Sequence, residues 1–351
     1  MNSNLSSKHK VGVVGAGSFG MTLSYLLAQN QPTMVYARRS ERVQELKEKA
    51  EYKGKALPKD LVFTSDPEEV ASQCELIFLV VPSQSFREML QSFSPFLTPA
   101  HKLIHATKGL DLDLASPIDW KNLPPLRREQ ARTMSELILQ ETGVIRVGVL
   151  SGPNLAGEII QGQPAATVIA SRFDEVIKEG QNALRGGRFR VHGSKHLIGA
   201  ELAGVFKNVM AIAGGVVAGL GYGDNTKGML ITHGLAEMIH IGQTLGIEIS
   251  PFLGLAGIGD LITTCYSPSS RNFTVGFRLA KGEKLDDILS DMEEVAEGVK
   301  TVAVVRALGK AYRFSSPITQ TLYRILFEDQ SIEKGFTTLM EIPYSQDVAF
   351  I

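Results

Sequence analysis

Lys207 sits within Glu201–Leu220 (ELAGVFKNVMAIAGGVVAGL), surrounded by apolar and small residues. A lysine on such a helix either snorkels to solvent or is held inside for a purpose. Burial lowers the pKa of a lysine toward values that suit proton transfer. Ala203, Gly204 and Ala211 lie one turn away and leave room for a small substrate, and Asn208 is placed to anchor the lysine or to contact that substrate. Asp260 follows Gly257-Ile258-Gly259 and opens a helix that carries Thr264. Positions i and i+4 share a helix face, so Asp260 and Thr264 point to one place. Asp260 beside Lys207 would hold the lysine or a substrate hydroxyl; alone it would serve as a helix cap. Ten residues on, Ser269-Ser270-Arg271-Asn272 reads as a serine-capped helix start with an arginine in its first turn. Free N–H groups, a helix dipole and a guanidinium fork suit a phosphate.

A second constellation is glycine-rich. Gly15-Ala16-Gly17-Ser18-Phe19-Gly20 fits G-x-G-x-x-G, directly after the apolar run Val11–Val14 and directly before an apolar helix. In that context it reads as a dinucleotide-binding turn, with Gly15 for the bend, Gly17 for backbone approach to a pyrophosphate and Gly20 for helix–strand packing; the alternative is a glycine-rich turn with no ligand. The next strand runs into Arg38-Arg39, with no acidic residue until Glu41. An acidic residue there would bind a ribose 2′-hydroxyl and an arginine accommodates a 2′-phosphate, so NADPH is expected to be accepted alongside NADH. The alternative is a pair of solvated arginines. Lys108, in Ala106-Thr107-Lys108-Gly109, and Ser151-Gly152-Pro153-Asn154 stand at the carboxyl ends of further strands. These are positions that face the ligand crevice of an open α/β sheet. Lys108 is either a ligand contact or a surface lysine, and Gly152-Asn154 either cups an anion or makes a plain turn.

The elements that must position these residues divide the chain. Strands are expected at Val11–Val14, Thr33–Ala37, Leu61–Thr64, Leu76–Val81, His101–Ala106, Val144–Leu150 and Ala165–Ala170, alternating with helices such as Met21–Ala28, Ser40–Ala50 and Pro67–Gln73. Such alternation implies a mostly parallel sheet. From about Lys195 only helical patterns occur, at Leu197–Leu220, Lys227–Leu245, Asn272–Lys281, Lys300–Tyr312 and Ile318–Phe327. Two domains are therefore expected, a dinucleotide-binding domain over 1–194 and a helical substrate domain over 195–351. Asp111–Arg128, with three prolines and Trp120, reads as an irregular loop, either a lid or an insertion.

Composition excludes other classes. The 351 residues carry 36 basic and 37 acidic side chains, for a formal net charge of -1. That balance argues against a nucleic-acid partner. Cys74 and Cys265 form no CxxC pair, which fits a reducing, cytoplasmic location. The polar start MNSNLSSKHK does not read as a secretory signal, and the apolar run Val209–Gly221 is shorter than a membrane span. His192 and His196 are four residues apart, but Gly193 interrupts them and no third ligand is near, so no metal is expected. Cys265 is expected to be a small buried hydrophobe.

Taken in order, GAGSFG, VVPS, ATKGL, SGPN, ELAGVFKN, GLAGIGDLITTC, SRN and VAEGV resemble the bacterial-type NAD(P)-dependent glycerol-3-phosphate dehydrogenases over roughly Val11 to Phe327. The resemblance implies a doubly wound Rossmann domain followed by an all-α domain. It also implies reversible reduction of dihydroxyacetone phosphate to sn-glycerol 3-phosphate, which feeds glycerophospholipid synthesis. Separately, the apolar helical half makes a homodimer the expected assembly. By motif, Lys207 matches the proton-transfer residue, with Asp260 as its catalytic companion. Lys108, Gly152, Asn154, Asp260, Thr264, Ser270, Arg271 and Asn272 match substrate contacts. Gly15, Gly17, Ser18, Phe19, Gly20, Arg38, Arg39, Lys108, Ala156, Arg271, Val295 and Glu297 match cofactor positions. Asn154 departs from the family, which has Ser or Thr after Gly-Pro, and Asp111–Arg128 is longer than in most relatives. Two rival readings remain: a reductase of the same architecture acting on another small hydroxy acid or ketoacid, and a non-catalytic sensor of NAD(P)H.

Overall fold

The computed structural model describes residues 10–49, 51–114, 117–292 and 296–341. Their chain order gives eight strands of one sheet: β1 (Lys10–Val14), β2 (Thr33–Tyr36), β3 (Leu61–Thr64), β4 (Cys74–Leu79), β5 (Lys102–His105), β6 (Arg146–Ser151), β7 (Ala165–Ser171) and β8 (Phe189–Ser194). They lie in the order β8-β7-β6-β5-β4-β1-β2-β3. Every neighbouring pair is parallel except β6 and β7, which run antiparallel. The order reverses between β1 and β4, the switch point at which doubly wound sheets bind ligands.

Successive residues of a strand point to opposite faces, and the central strands show it. Val13, Leu76, Phe78 and Ile104 enter one apolar cluster, and Val14, Ile77, Leu79 and Leu103 enter another. Both faces are thus covered, which is why these strands read as continuous apolar runs. β8 breaks that pattern. Of its sequence FRVHGS only Phe189 is buried at the sheet edge, so it carries no apolar run to announce it.

Helix α1 (Ser18–Ala28) follows the glycine turn after β1. Gly15 has φ +117, and a Cβ there would lie 2.2 Å from the Val80 carbonyl oxygen. A Cβ on Gly20 would lie 1.9 Å from the Gly15 oxygen. No side chain other than hydrogen fits either position, which fixes α1 hard against the sheet.

The second unit is built on α2 (Leu197–Gly219), α3 (Asp224–Thr244), α4 (Asp260–Tyr266), α5 (Arg271–Ala280), α6 (Glu297–Tyr312), α7 (Pro317–Phe327) and α8 (Ile332–Met340). Leu202, Phe206, Val209, Met210 and Ile212 of α2 sit at the centre of its core. α2 is long and apolar enough to cross a membrane by length and composition, contrary to the shorter run read from the sequence. Its most apolar window, however, is 94% buried. α2 and α5 cross closely, because a Cβ on Gly215 would lie 2.0 Å from the Phe273 oxygen and one on Gly276 would lie 1.9 Å from the Ile212 oxygen.

The compact units interleave along the chain. Among the described residues, those up to Thr107 and Met134–Leu197 form one compact unit, while Lys108–Thr133 and the chain from Ile198 form the other. The stretch read as an irregular loop is the reason. Asp111 and Leu112 pair antiparallel with Arg132 and Ala131, the Arg132 guanidinium bridges Asp111 and Asp113, and Leu112, Leu123 and Leu126 enter the helical core. The Leu126 amide donates to the Ala307 carbonyl in α6 at 3.1 Å. Apolar residues spaced through a proline-rich segment, with no helical or strand period, gave no sign of that packing.

Candidate active site

A buried charge cluster lies within the helical unit. Lys207 on α2, Asp260 and Thr264 on α4 are each nearly inaccessible, at 6%, 2% and 5% of full exposure. Lys207 Nζ donates to Thr264 Oγ1 at 2.7 Å and stands 3.2 Å from Asp260 Oδ1. Thr264 Oγ1 in turn donates to Asp260 Oδ1 at 3.0 Å, as the i, i+4 spacing anticipates. The other carboxylate oxygen, Oδ2, accepts from Lys108 Nζ. Asn208 Nδ2 donates to the Lys108 carbonyl at 3.0 Å, so Asn208 fixes the Lys108 backbone rather than the Lys207 side chain.

One carboxylate therefore sits between two ammonium groups. Burial lowers the pKa of Lys207, and the nearby Lys108 charge lowers it further; together they outweigh the opposing pull of Asp260 and bring it to about 8. Burial acts to raise the Asp260 carboxyl, but the Lys108 and Lys207 charges, with hydrogen bonds from Lys108 and Thr264, hold it below its ordinary value. Cys265 is buried beside this cluster; desolvation pushes its thiol up to about 12, which leaves it an uncharged, inert group.

The α5 start has the serine cap read from the sequence, with Ser270 Oγ accepting from the Phe273 amide at 3.3 Å. Arg271 is the first residue of α5 and is exposed. Asn272 is buried, and its Oδ1 accepts from the Gly298 amide at 2.9 Å, tying α5 to the first turn of α6. Glu297 opens α6. Val295 lies outside the described residues.

In the sheet unit, α1 begins after Gly17 with no side-chain cap and no acidic residue in its first turn. A Cβ on Gly17 would meet nothing within 4 Å. The α1 start is thus open beside Gly17, with Ser18, Phe19 and Gly20 presenting the first amides, a geometry that suits an anion. Ala156 adjoins it, accepting from Thr22 Oγ1 at 3.4 Å. Arg38 and Arg39 are exposed at the end of β2, with Arg38 Nη1 3.2 Å from Glu88 Oε2. After β6, Asn154 Nδ2 donates to Thr167 Oγ1 at 3.0 Å, whereas its buried Oδ1 has no hydrogen-bond partner. A buried acceptor without a donor fits a ligand that brings one. Gly152 has φ +136 beside Thr167.

Sequence reasoning did not anticipate the Lys108–Asp260 pair or a hairpin reaching Ser18. Lys53 Nζ donates to Ser18 Oγ at 3.0 Å, and the Tyr52 hydroxyl donates to the Ser18 carbonyl at 3.3 Å. The Lys53-Gly54 turn signal is the one local clue.

The family model for the NAD-dependent glycerol-3-phosphate dehydrogenase N-terminus matches residues 10–177, and that for the C-terminus matches residues 196–337. The chain is 38% identical to a glycerol-3-phosphate dehydrogenase [NAD(P)+] of Saccharophagus degradans over 99% of this chain and 94% of the relative. It is 40% identical to that of Ectopseudomonas mendocina over 97% of each. A solved glycerol-3-phosphate dehydrogenase of Coxiella burnetii superposes with a TM-score of 0.84 at 31% identity, covering 95% of this chain and 99% of that one. The chain belongs to the NAD-dependent glycerol-3-phosphate dehydrogenase family.

Proposed function

We propose that this protein reversibly reduces dihydroxyacetone phosphate to sn-glycerol 3-phosphate with NADPH or NADH, with Lys207 as the proton donor. The observation that carries the assignment is a buried lysine with a pKa of about 8, fixed by Thr264 and Asp260. At neutral pH such a group is mostly protonated yet gives up its proton readily.

The nicotinamide, when bound, supplies or accepts the hydride. The chain does the rest. Arg271, the first turn of α5, Ser270 and Asn272 hold the substrate phosphate. The Ser270 oxygen accepts within its own helix, and its proton stays available to donate. Protonated Lys207 passes Hζ to the oxygen that becomes an alkoxide as the carbonyl carbon is reduced. In the oxidation direction neutral Lys207 takes that proton back. Asp260 keeps the ammonium aimed and offsets its charge, and Thr264 bridges the two. Lys108 holds the far oxygen of Asp260, so the carboxylate cannot swing away from Lys207. Gly15, Gly17, Ser18, Phe19, Gly20 and Ala156 cradle the dinucleotide, and Arg38 and Arg39 accept a 2′-phosphate.

A homodimer in the cytoplasm, supplying a glycerophospholipid precursor, completes the reading. The dimer is suggested by an apolar hollow among α3, α7 and α8, lined by Met229, Leu230, Leu322, Phe336 and Met340. Both cysteines are free and buried, which suits a reducing compartment. The test is NADPH oxidation by purified protein with dihydroxyacetone phosphate, against unphosphorylated dihydroxyacetone. Oxidation with the phosphate alone supports the assignment. Equal oxidation with both removes the anion site, and cofactor binding without turnover on either makes the protein a sensor.

A further inference from the structure

We propose that Lys53 anchors the diphosphate bridge of the bound dinucleotide, a role resting on the dehydrogenase reading above. Between Glu48 and β3 the chain makes a minimal hairpin, in which Glu51 and Tyr52 pair with Ala56 and Lys55. Its two turn residues, Lys53 and Gly54, have φ of 48 and 74, the pattern of a tight type I′ turn. Positive φ is costly for a lysine, and here it aims the side chain at the glycine loop. Lys53 Nζ reaches Ser18 Oγ, and Tyr52 holds the Ser18 carbonyl, so the hairpin is fastened to the first residue of α1 at two points.

That placement is electrostatically unfavourable as it stands. A helix N-terminus carries partial positive charge and attracts anions, yet a lysine has been brought to it. No side chain caps α1 and no acidic residue lies in its first turn. Among the described residues, the Lys53 ammonium has Ser18 Oγ and the Tyr52 ring as partners and no carboxylate. An anion seated against the α1 amides resolves the conflict, because it is attracted by both the helix end and the ammonium. Ser18 adds to the site: its hydroxyl accepts from Lys53 and so has its own proton to donate outward. In the G-x-G-x-x-G geometry the anion at this point is the diphosphate, common to NADH and NADPH. The 2′-phosphate belongs instead at the end of β2 near Arg38.

The experiment measures NADH and NADPH binding by isothermal titration calorimetry for the wild type, Lys53→Met and Lys53→Arg. Lys53 is exposed, so neither change disturbs the core. Lys53→Met is expected to weaken both nucleotides about tenfold and equally, as expected for the loss of one charge-assisted hydrogen bond. Lys53→Arg is expected to restore most of that affinity. Unchanged affinities in Lys53→Met, or a loss confined to NADPH, overturn the assignment; the latter outcome gives Lys53 to the 2′-phosphate. If the wild type binds neither nucleotide, the dehydrogenase reading fails, and the lysine's role with it.

Discussion

The two units use charge in opposite ways. In the sheet unit the basic residues proposed to meet a ligand stand in solvent: the Arg38 side chain is 70% exposed, and Lys53 is exposed as well. In the helical unit the Lys207 and Asp260 side chains are 7% and 3% exposed. An ion pair in water is worth about 1 kcal/mol at 4 Å and several times more at the lower effective dielectric of a protein. Exposed charges therefore select and hold an anionic ligand with little consequence for proton affinity. Buried ones perturb each other enough to move a lysine to about 8, and proton transfer becomes possible. On the proposed reading, the same residue type binds in one unit and reacts in the other, according to burial.

The largest expected effect is at Lys207. Replacement by Met should lower kcat by about 10³, within the range for a lost general acid, while the Kd for NADPH stays within about twofold of wild type. A folded Lys207→Met protein with near-normal turnover would erase the contrast between the units. Asp260→Asn comes next. It leaves Lys207 and Lys108 facing each other without their shared counter-charge, so the Lys207 pKa falls further and kcat at neutral pH drops by about 10². The unpaired buried charge also costs about 3 kcal/mol of stability in denaturant unfolding. Retained activity with a lowered melting temperature would make Asp260 purely structural.

Glu237 supplies the control for burial alone. It is buried on α3, where desolvation raises its pKa to about 7, and its oxygens accept from the Ile318 and Thr319 amides and the Thr319 hydroxyl at the α7 start. Glu237→Ala should cost about 3 kcal/mol of stability and leave kcat unchanged below the unfolding transition. The smallest effect is expected at the surface. Arg38→Asp should shift the ratio of kcat/KM for NADPH over NADH about tenfold toward NADH, and an unchanged ratio would assign 2′-phosphate reading elsewhere.

What could be read from the sequence follows from whether a feature is local. The glycine turn was readable because Val11–Val14 precedes it and an apolar helix follows, and Gly15 and Gly20 each answer to a close approach at that point. Central strands announced themselves as apolar runs because both of their faces are covered, whereas the edge strand Phe189–Ser194 did not. Thr264 beside Asp260 followed from helical spacing, and Lys207 stood out as a charge on an apolar helix. Lys108 is 152 residues from Asp260, and no periodicity reports such an approach. The hairpin at Lys53 has two-residue arms, too short for a pattern, and the packing of Leu112, Leu123 and Leu126 is hidden in a segment without a period.

The pH dependence of kcat/KM for dihydroxyacetone phosphate reduction tests the central claim most directly, because it reads the proton affinity of Lys207 in the working enzyme. The donor is lost as pH rises through its pKa, so the profile should fall above about pH 8, approaching tenfold per pH unit. The reverse oxidation should rise across the same interval. A reduction profile that stays flat to about pH 10, the range of an unperturbed lysine, would contradict the claim that burial has prepared Lys207 for proton transfer.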